Sequence, residues 1–309
     1  MSIEFHRRML ADRVRHDAFR AALEQAIRPG HSTVADIGAG TGVLAFFARQ
    51  LGAPEVWLYD PGAALGLAEV IAARNGIDGL NFVPERSLDV ADPPRVDVVV
   101  AEVLGNFAYE EDVLETLRDA RRFLKPAGTL IPRSIVQWAA PVTSDRFERD
   151  LASWGSVGFG LDWSDAERMT RNNMYVFAIE PSDLLATAAA AWDTLDFGGD
   201  IDSRRSGTAS WRLLADTPIH GFALWWECVL APGVVLSTSP FSPRTHWDQI
   251  YLPLLTPLAG CAGDVVELTV ASETGGSEGG VEVRWAVEQK HPNGVANSQT
   301  LSIADGFLG

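Results

Sequence analysis

Apolar residues recur at helical spacing across 6–28, with Leu10, Val14, Ala18, Ala21 and Ala22 on one side and charges on the other. That period predicts one amphipathic helix, stopped by Pro29-Gly30. The pattern then changes to short apolar runs separated by longer helical ones. Segments 34–37, 56–59, 80–83, 96–101 and 129–131 read as strands, and 43–51, 63–75 and 109–123 as the helices between them. The 96–101 run is apolar on both faces after Asp97, as a parallel strand covered on two sides must be. Strands alternating with helices predict an α/β parallel sheet.

At Pro132 the character changes. Short β-rich runs dominate at 136–141, 175–179, 209–214, 221–230, 265–270 and 281–288, and their alternation predicts an antiparallel barrel or sandwich. An aromatic insert at 148–174 carries Trp154, Phe159, Trp163 and Met169; residues 183–192 read as a further helix and 275–280 as a hairpin tip. The organisation expected is an N-terminal helix at 1–29, a parallel-sheet domain at 30–133 and a β-rich domain at 134–309 containing the insert.

The chain has 309 residues, 47% hydrophobic and 21% charged, enough for one large or two ordinary domains. Its net charge of −16 argues against a nucleic-acid partner, which needs a basic face, and suits a cationic substrate. Its two cysteines, Cys228 and Cys261, lack spaced Cys or His partners, so neither a disulfide framework nor a metal site is expected. The N-terminus has no apolar signal-peptide run, and the longest apolar stretch, 221–236, is interrupted by Glu227 and Pro232-Gly233. A cytoplasmic protein without a membrane span is the expectation.

Candidate chemistry begins at Asp36-Ile-Gly-Ala-Gly-Thr-Gly42, between a strand and a helix. Gly38, Gly40 and Gly42 let backbone approach a ligand beside free helix N–H groups. The third glycine comes one residue earlier than in a dinucleotide loop, and Asp36 would repel a pyrophosphate. A cationic, phosphate-free cofactor fits better: S-adenosylmethionine. Asp60, ending the second strand, is placed for ribose hydroxyls. Asp89, with Ser87 nearby, is the candidate for the adenine amino group. After the fourth strand come Glu102 and Glu111, nine positions apart around Gly105. A fixed carboxylate pair is suited to a guanidinium, which presents five donors in a planar fork. On its own such a pair is more often solvated, or supports a helix N-terminus.

The segments 34–44, 96–111 and 237–247, the last ending in Thr245-His246-Trp247, together with 6–15 in the N-terminal helix, resemble the protein arginine methyltransferase family. The four motifs occur in order over most of the chain, from His6 to about Leu255. The resemblance implies a Rossmann-like domain followed by a β-barrel, with the insert as a helical arm making a head-to-tail homodimer. It implies that Glu102 and Glu111 clamp the guanidinium and that Arg15 pairs with the cofactor's carboxylate. It further implies that His246 meets Asp12, that Trp247 lines the acceptor channel and that Met9 sits beside the acceptor nitrogen. Three departures stand out: Asp60 where the family has Glu, Val113 where it has Met, and no tyrosine-rich helix before His6. The chain also resembles the branch that methylates free L-arginine in nitrosourea (streptozotocin) antibiotic biosynthesis. Free L-arginine is therefore the first acceptor expected and peptidyl arginine the alternative. A cofactor-binding scaffold without turnover is the third reading, against which the intact Glu102, Glu111 and His246 stand.

Overall fold

The computed structural model describes residues 3–186, 188–275 and 280–307. The N-terminal segment forms two helices, α1 (Ile3–Ala11) and α2 (Arg13–Ala26). This corrects the single helix expected over 6–28. Asp12 leaves helical geometry (φ −78°, ψ 93°) and caps α2, accepting a hydrogen bond from the Arg15 N–H. The apolar period runs through the break, so periodicity alone does not reveal it.

Next come β1 (Val34–Ile37), α3 (Val43–Gln50), β2 (Val56–Tyr59), α4 (Ala64–Asn75), β3 (Leu80–Val83), β4 (Val96–Ala101), α5 (Val113–Ala120) and β5 (Leu124–Ile131). The five strands form a sheet in the order β3-β2-β1-β4-β5, with β1 central and fully buried between helical layers. The helix expected over 109–123 begins only at Val113. Glu111 (φ 58°) and Asp112 (φ 56°) are both left-handed, which forces a turn before α5 starts.

Beyond Pro132 lie β6 (Ser134–Val142), α6 (Arg146–Leu151), α7 (Ser164–Arg171), β7 (Tyr175–Phe177), β8 (Ala190–Asp196), β9 (Arg204–Arg212), β10 (Thr217–Ala231), β11 (Val234–Ser237), β12 (Gln249–Gly260), β13 (Val265–Thr274), β14 (Val281–His291) and β15 (Gly294–Ser302). One antiparallel sheet runs β7-β12-β10-β6-β8, with β11 on β10; a second runs β15-β14-β13-β9, and together they form the barrel. The helix expected over 183–192 is not there. A short 3-10 turn occupies Pro181–Asp183, and the alanine-rich stretch feeds β8, whose pairing with β6 buries Trp192 and Leu195. Tertiary pairing overrides helix propensity. β12 and β15 lie where no strand is expected. Of the expected 275–280 hairpin tip, residues 276–279 lie outside the described residues.

Strand β10 divides two apolar cores. Phe222, Leu224 and Trp226 face the main core, continuous with the parallel-sheet unit, whereas Ala223 and Trp225 face a smaller one with Phe147, Leu151 and Tyr251. The insert is helical through α6 and α7. Buried Arg171 ties its two ends, pairing with Glu148 at 2.9 and 2.7 Å and with Glu167 at 2.8 Å. α2 packs against α3 on one side and against β10 and β11 on the other, so the N-terminal segment bridges the two sheet systems.

Candidate active site

A cavity of about 620 Å³ lies at the carboxyl ends of β1, β2 and β4, where a doubly wound sheet binds its ligands. Its walls include Met9, Arg15, Gly38, Gly40, Asp60, Ser87, Glu102, Glu111, His246 and Trp247. Ten of the predicted site residues thus converge on one space.

The glycine loop is built locally. The Gly38 and Ala39 N–H groups donate to the Tyr59 carbonyl at 2.9 and 3.2 Å, pinning the loop to the end of β2. Gly38 has φ +72°, and a Cβ there would come within 2.7 Å of Val103. Asp60 accepts the Gly40 N–H at 2.8 Å and the Gly62 N–H at 2.7 Å, so its carboxylate is fixed beside the loop.

Three predicted cofactor residues lie outside the wall. Asp36 is buried beneath the loop and accepts the Ala45 N–H at 3.0 Å. Burial pushes its carboxyl up to about 7, although Ala45 and Arg15 pull the other way. It supports the start of α3 and does not face the ligand space. Gly42 faces inward, where a Cβ would meet Ala68 and Phe46 at 3.0 Å, so it serves helix packing. Asp89 is exposed at the end of a 3-10 turn, Ser87–Asp89, and only Ser87 and Leu88 of that turn reach the wall.

The glutamate loop is built from a distance. The Trp247 indole donates to the Leu104 carbonyl at 2.8 Å, and the Trp226 indole donates to the Gly105 carbonyl at 3.0 Å. Asp248 N–H donates to Asn106 at 3.0 Å. Tyr109 donates its hydroxyl to Asp193 of β8 at 2.6 Å, and Arg205 of β9 holds the same carboxylate. Barrel residues therefore fix the loop on both flanks.

Within this frame Glu102 accepts from the Arg15 guanidinium, Nε at 2.7 Å and Nη2 on the same oxygen, and from the Leu104 N–H at 3.2 Å. Arg15 Nη1 is buried without a partner. Glu111 has no hydrogen-bond partner for its carboxylate among the described residues. Burial, reinforced by the charges of Glu102 and Glu110, pushes it up to about 7. Asp12, not itself on the wall, accepts from the His246 backbone N–H at 2.7 Å and lies 2.8 Å from His246 Nδ1. Burial alone would raise the Asp12 carboxyl, but hydrogen bonds from His246 and Arg15 outweigh it and hold it below its ordinary value.

His6 and Glu110 are among the wall residues that escape the sequence reading. His6 is buried against Gly40, with Nδ1 unpartnered. Glu110 is a third acid whose side chain tucks under Gly105, and burial raises its carboxyl despite hydrogen bonds from the Phe107 and Asn106 backbone. The signal for His6 was its place one helical turn before Met9; for Glu110 there was none, because its place follows from a turn in which its N–H donates to the Phe107 carbonyl at 3.0 Å.

Residues 136–290 match the family model "Arginine methyltransferase oligomerization subdomain", and residues 20–154 match that of ribosomal protein L11 methyltransferase. The chain is 31% identical over 271 residues to protein arginine N-methyltransferase 6 of Xenopus laevis, covering 82% of this chain and 78% of that one. Among solved structures, the Trypanosoma brucei PRMT1 enzyme–prozyme heterotetrameric complex with AdoHcy matches with a TM-score of 0.86 at 22% identity, covering 97% and 98% of the two chains. Arabidopsis thaliana protein arginine methyltransferase 10 matches with a TM-score of 0.81 at 24% identity, covering 98% of both.

The chain belongs to the protein arginine methyltransferase family. It is an S-adenosylmethionine-dependent arginine N-methyltransferase.

Proposed function

We propose that Glu102 and Glu111 clamp the acceptor guanidinium, and that the opposite side of the same cavity holds S-adenosylmethionine. The single observation that carries this is the convergence of both glutamates, the glycine loop and Asp60 on one cavity. The cofactor fit rests on buried polar atoms left without partners on that wall, Arg15 Nη1 and His6 Nδ1. Arg15 would take the cofactor's carboxylate, Asp60 its ribose hydroxyls, and Ser87 would flank its base. When bound, S-adenosylmethionine supplies an electrophilic methyl group on a sulfonium.

The protein's share of the chemistry is positioning, which can supply roughly 7–11 kcal/mol in favourable cases. A free guanidinium has a pKa of about 13.8, so it arrives protonated. Two carboxylates on one side draw its positive charge toward them and leave the far nitrogen with more lone-pair character. Met9 and Trp247 close the walls around that nitrogen. The proton shed by the product has two exits, Glu111, which titrates near neutrality here, and His246 backed by Asp12.

For the acceptor we favour free L-arginine on one observation. Of the three arginines on the cavity wall, Arg15 pairs with Glu102 and Arg86 with Asp112, whereas Arg8 has no acidic partner among the described residues. An exposed cation on the wall of the cavity that holds the acidic clamp suits a free α-carboxylate and would repel a basic peptide. The second reading, peptidyl arginine, is supported by the names of the relatives, which are protein arginine N-methyltransferases. Incubation with S-adenosylmethionine and either free L-arginine or an arginine–glycine-rich peptide, with products read by mass spectrometry, decides. A methyl-sized gain on free arginine alone supports the first reading; gain on the peptide alone replaces it with the second. Gain on neither, with the cofactor still bound, would remove both acceptors and point to a different one or to a binding scaffold.

We also propose a head-to-tail homodimer. Phe159 and Leu161, at the tip of the insert, are 87% and 62% exposed, and Leu67 and Val70 of α4 offer an apolar face for them. Sedimentation of wild type against Phe159→Ser tests it: a monomeric wild type ends the idea.

A further inference from the structure

Most charges on the cavity wall are committed to other groups of the protein. Arg15 is engaged by Glu102 and Arg86 by Asp112, which leaves Arg8. Among the acids, Asp60 holds loop N–H groups, Glu102 and Asp112 have those arginines, and Glu110 is tucked under Gly105. Glu111 is half of the clamp. Asp248 remains: its N–H is bonded, but its carboxylate has no hydrogen-bond or ion-pair partner among the described residues. Asp248 directly follows Trp247, and its N–H donates to Asn106 at 3.0 Å, one residue past Gly105, so its backbone is tied to the glutamate loop. It also borders a shallow depression on the barrel whose cation, Arg244, is engaged by Glu180 at 2.7 Å. Asp248 is half-buried, open enough to admit a ligand and shielded enough for a charge pair to count.

We infer that Asp248 is a specificity residue that takes the α-ammonium of a free amino-acid acceptor, while Arg8 takes its α-carboxylate. The inference rests on the reading of free L-arginine as the acceptor. That molecule carries three charges: a guanidinium, an ammonium and a carboxylate. The wall offers a counterpart to each, in the glutamate pair, Asp248 and Arg8. Inside a peptide the same nitrogen is an uncharged amide and the carboxyl is a carbonyl. A bound peptide would therefore cover both Asp248 and Arg8 without giving either a counter-ion. A site built to pair with a polar group of its substrate rejects analogues that lack the group, because its own partner is left unsatisfied. Arg8 alone does not suffice for this selection, since an arginine at the C-terminus of a peptide also carries a carboxylate. Only the ammonium marks the free amino acid, and Asp248 is the residue that reads it.

Three small acceptors separate the groups. L-arginine carries both, agmatine has the ammonium without the carboxylate, and 5-guanidinopentanoic acid has the carboxylate without the ammonium. Steady-state methylation of each is followed in wild type and in Asp248→Asn, which keeps the backbone bond to Asn106 and the side-chain shape but removes the charge. For an acceptor that is not turned over, its competitive inhibition constant against L-arginine replaces KM. Asp248→Asn should raise KM for L-arginine and for agmatine by about tenfold or more. Their kcat should change by less than about twofold, as for a contact made equally in the ground and transition states. KM for 5-guanidinopentanoic acid should hold or fall, because Asp248 repels an anion that brings no ammonium. Arg8→Gln should give the complementary pattern, raising KM for L-arginine and 5-guanidinopentanoic acid but not for agmatine. An equal rise for all three acceptors in Asp248→Asn, or no rise for any, overturns the inference, as does the same pattern in both variants. The reading of free L-arginine fails separately, as a gain on the peptide alone in the product assay.

Discussion

The two sides of the cavity are constructed by opposite strategies. On the cofactor side, residues 36–62 hold one another, through backbone bonds from the glycine loop to Tyr59 and from Gly40 and Gly62 to Asp60. On the acceptor side, Glu102 and Glu111 are placed by residues far away in the chain: Arg15, Asp193, Trp226 and Trp247. The first arrangement comes with the α/β fold itself. The second exists only when helix α2, the parallel sheet and the barrel are assembled together. Acceptor chemistry can therefore be altered from the barrel while the cofactor side stays intact.

The largest expected effect isolates the acceptor side. Glu102→Gln and Glu111→Gln should each lower kcat by roughly 10²–10³-fold, the scale for removing a charge-stabilising group from an active site. Calorimetry should show S-adenosylhomocysteine bound no more weakly than by wild type, and near-normal turnover in either variant would remove the clamp from the mechanism. Glu111 also makes a stability prediction. Its folded carboxyl titrates near 7 against an ordinary 4.5. The folded state therefore holds the proton more tightly, and that stabilisation is complete below pH 4.5 and lost as pH rises through 7. The carboxylate is partly open to solvent and therefore screened, so at pH 8 ligand-free Glu111→Gln should be the more stable by only about 1 kcal/mol, and at pH 4 the two should match. Urea unfolding at both pH values reads this.

The cofactor side is broken by Asp60→Ala, which frees two loop N–H groups. S-adenosylhomocysteine should bind about 10- to 100-fold more weakly, in line with lost hydrogen bonds to a charged group, while the glutamate loop keeps its hydrogen-exchange pattern. His246→Ala should slow turnover by roughly tenfold, less than either glutamate change, because a second proton exit remains. Smallest is Tyr109→Phe, which removes one brace to Asp193. It should cost about 1 kcal/mol of stability and raise the acceptor KM, with the cofactor constant unmoved; a shift in both would mean that the two sides are not separable.

This contrast also governs what the sequence discloses. Strands β1 to β4 and the glycine loop are legible because each is specified by neighbours in the chain. Gly42 and Asp36 were legible as parts of the loop but not in their orientation: Asp36 points under the helix start, and strand alternation alone does not say which face the ligand occupies. The 3-10 turn at Ser87–Asp89 turns Asp89 outward for the same reason. The break at Asp12 hides within an unbroken apolar period. The Arg15–Glu102 pair is invisible because it spans 87 positions. Glu110 could not be foreseen, since its place under Gly105 follows from the turn that its N–H closes on the Phe107 carbonyl.

Strand β10 carries one more consequence. Its Trp226 is buried in the main core while its indole nitrogen holds the Gly105 carbonyl. The backbone around Gly105 belongs by sequence to the parallel-sheet half, yet its rigidity is borrowed from the barrel. In cooperative terms the Trp226 and Trp247 indole bonds should make the loop part of the barrel's unfolding unit. Amide protons at 104–109 should open together with β10, not with the neighbouring strand β4. A fragment ending near Pro132 could retain a nucleoside-sized hollow, but its glutamates would drift, and the chemistry would go with them.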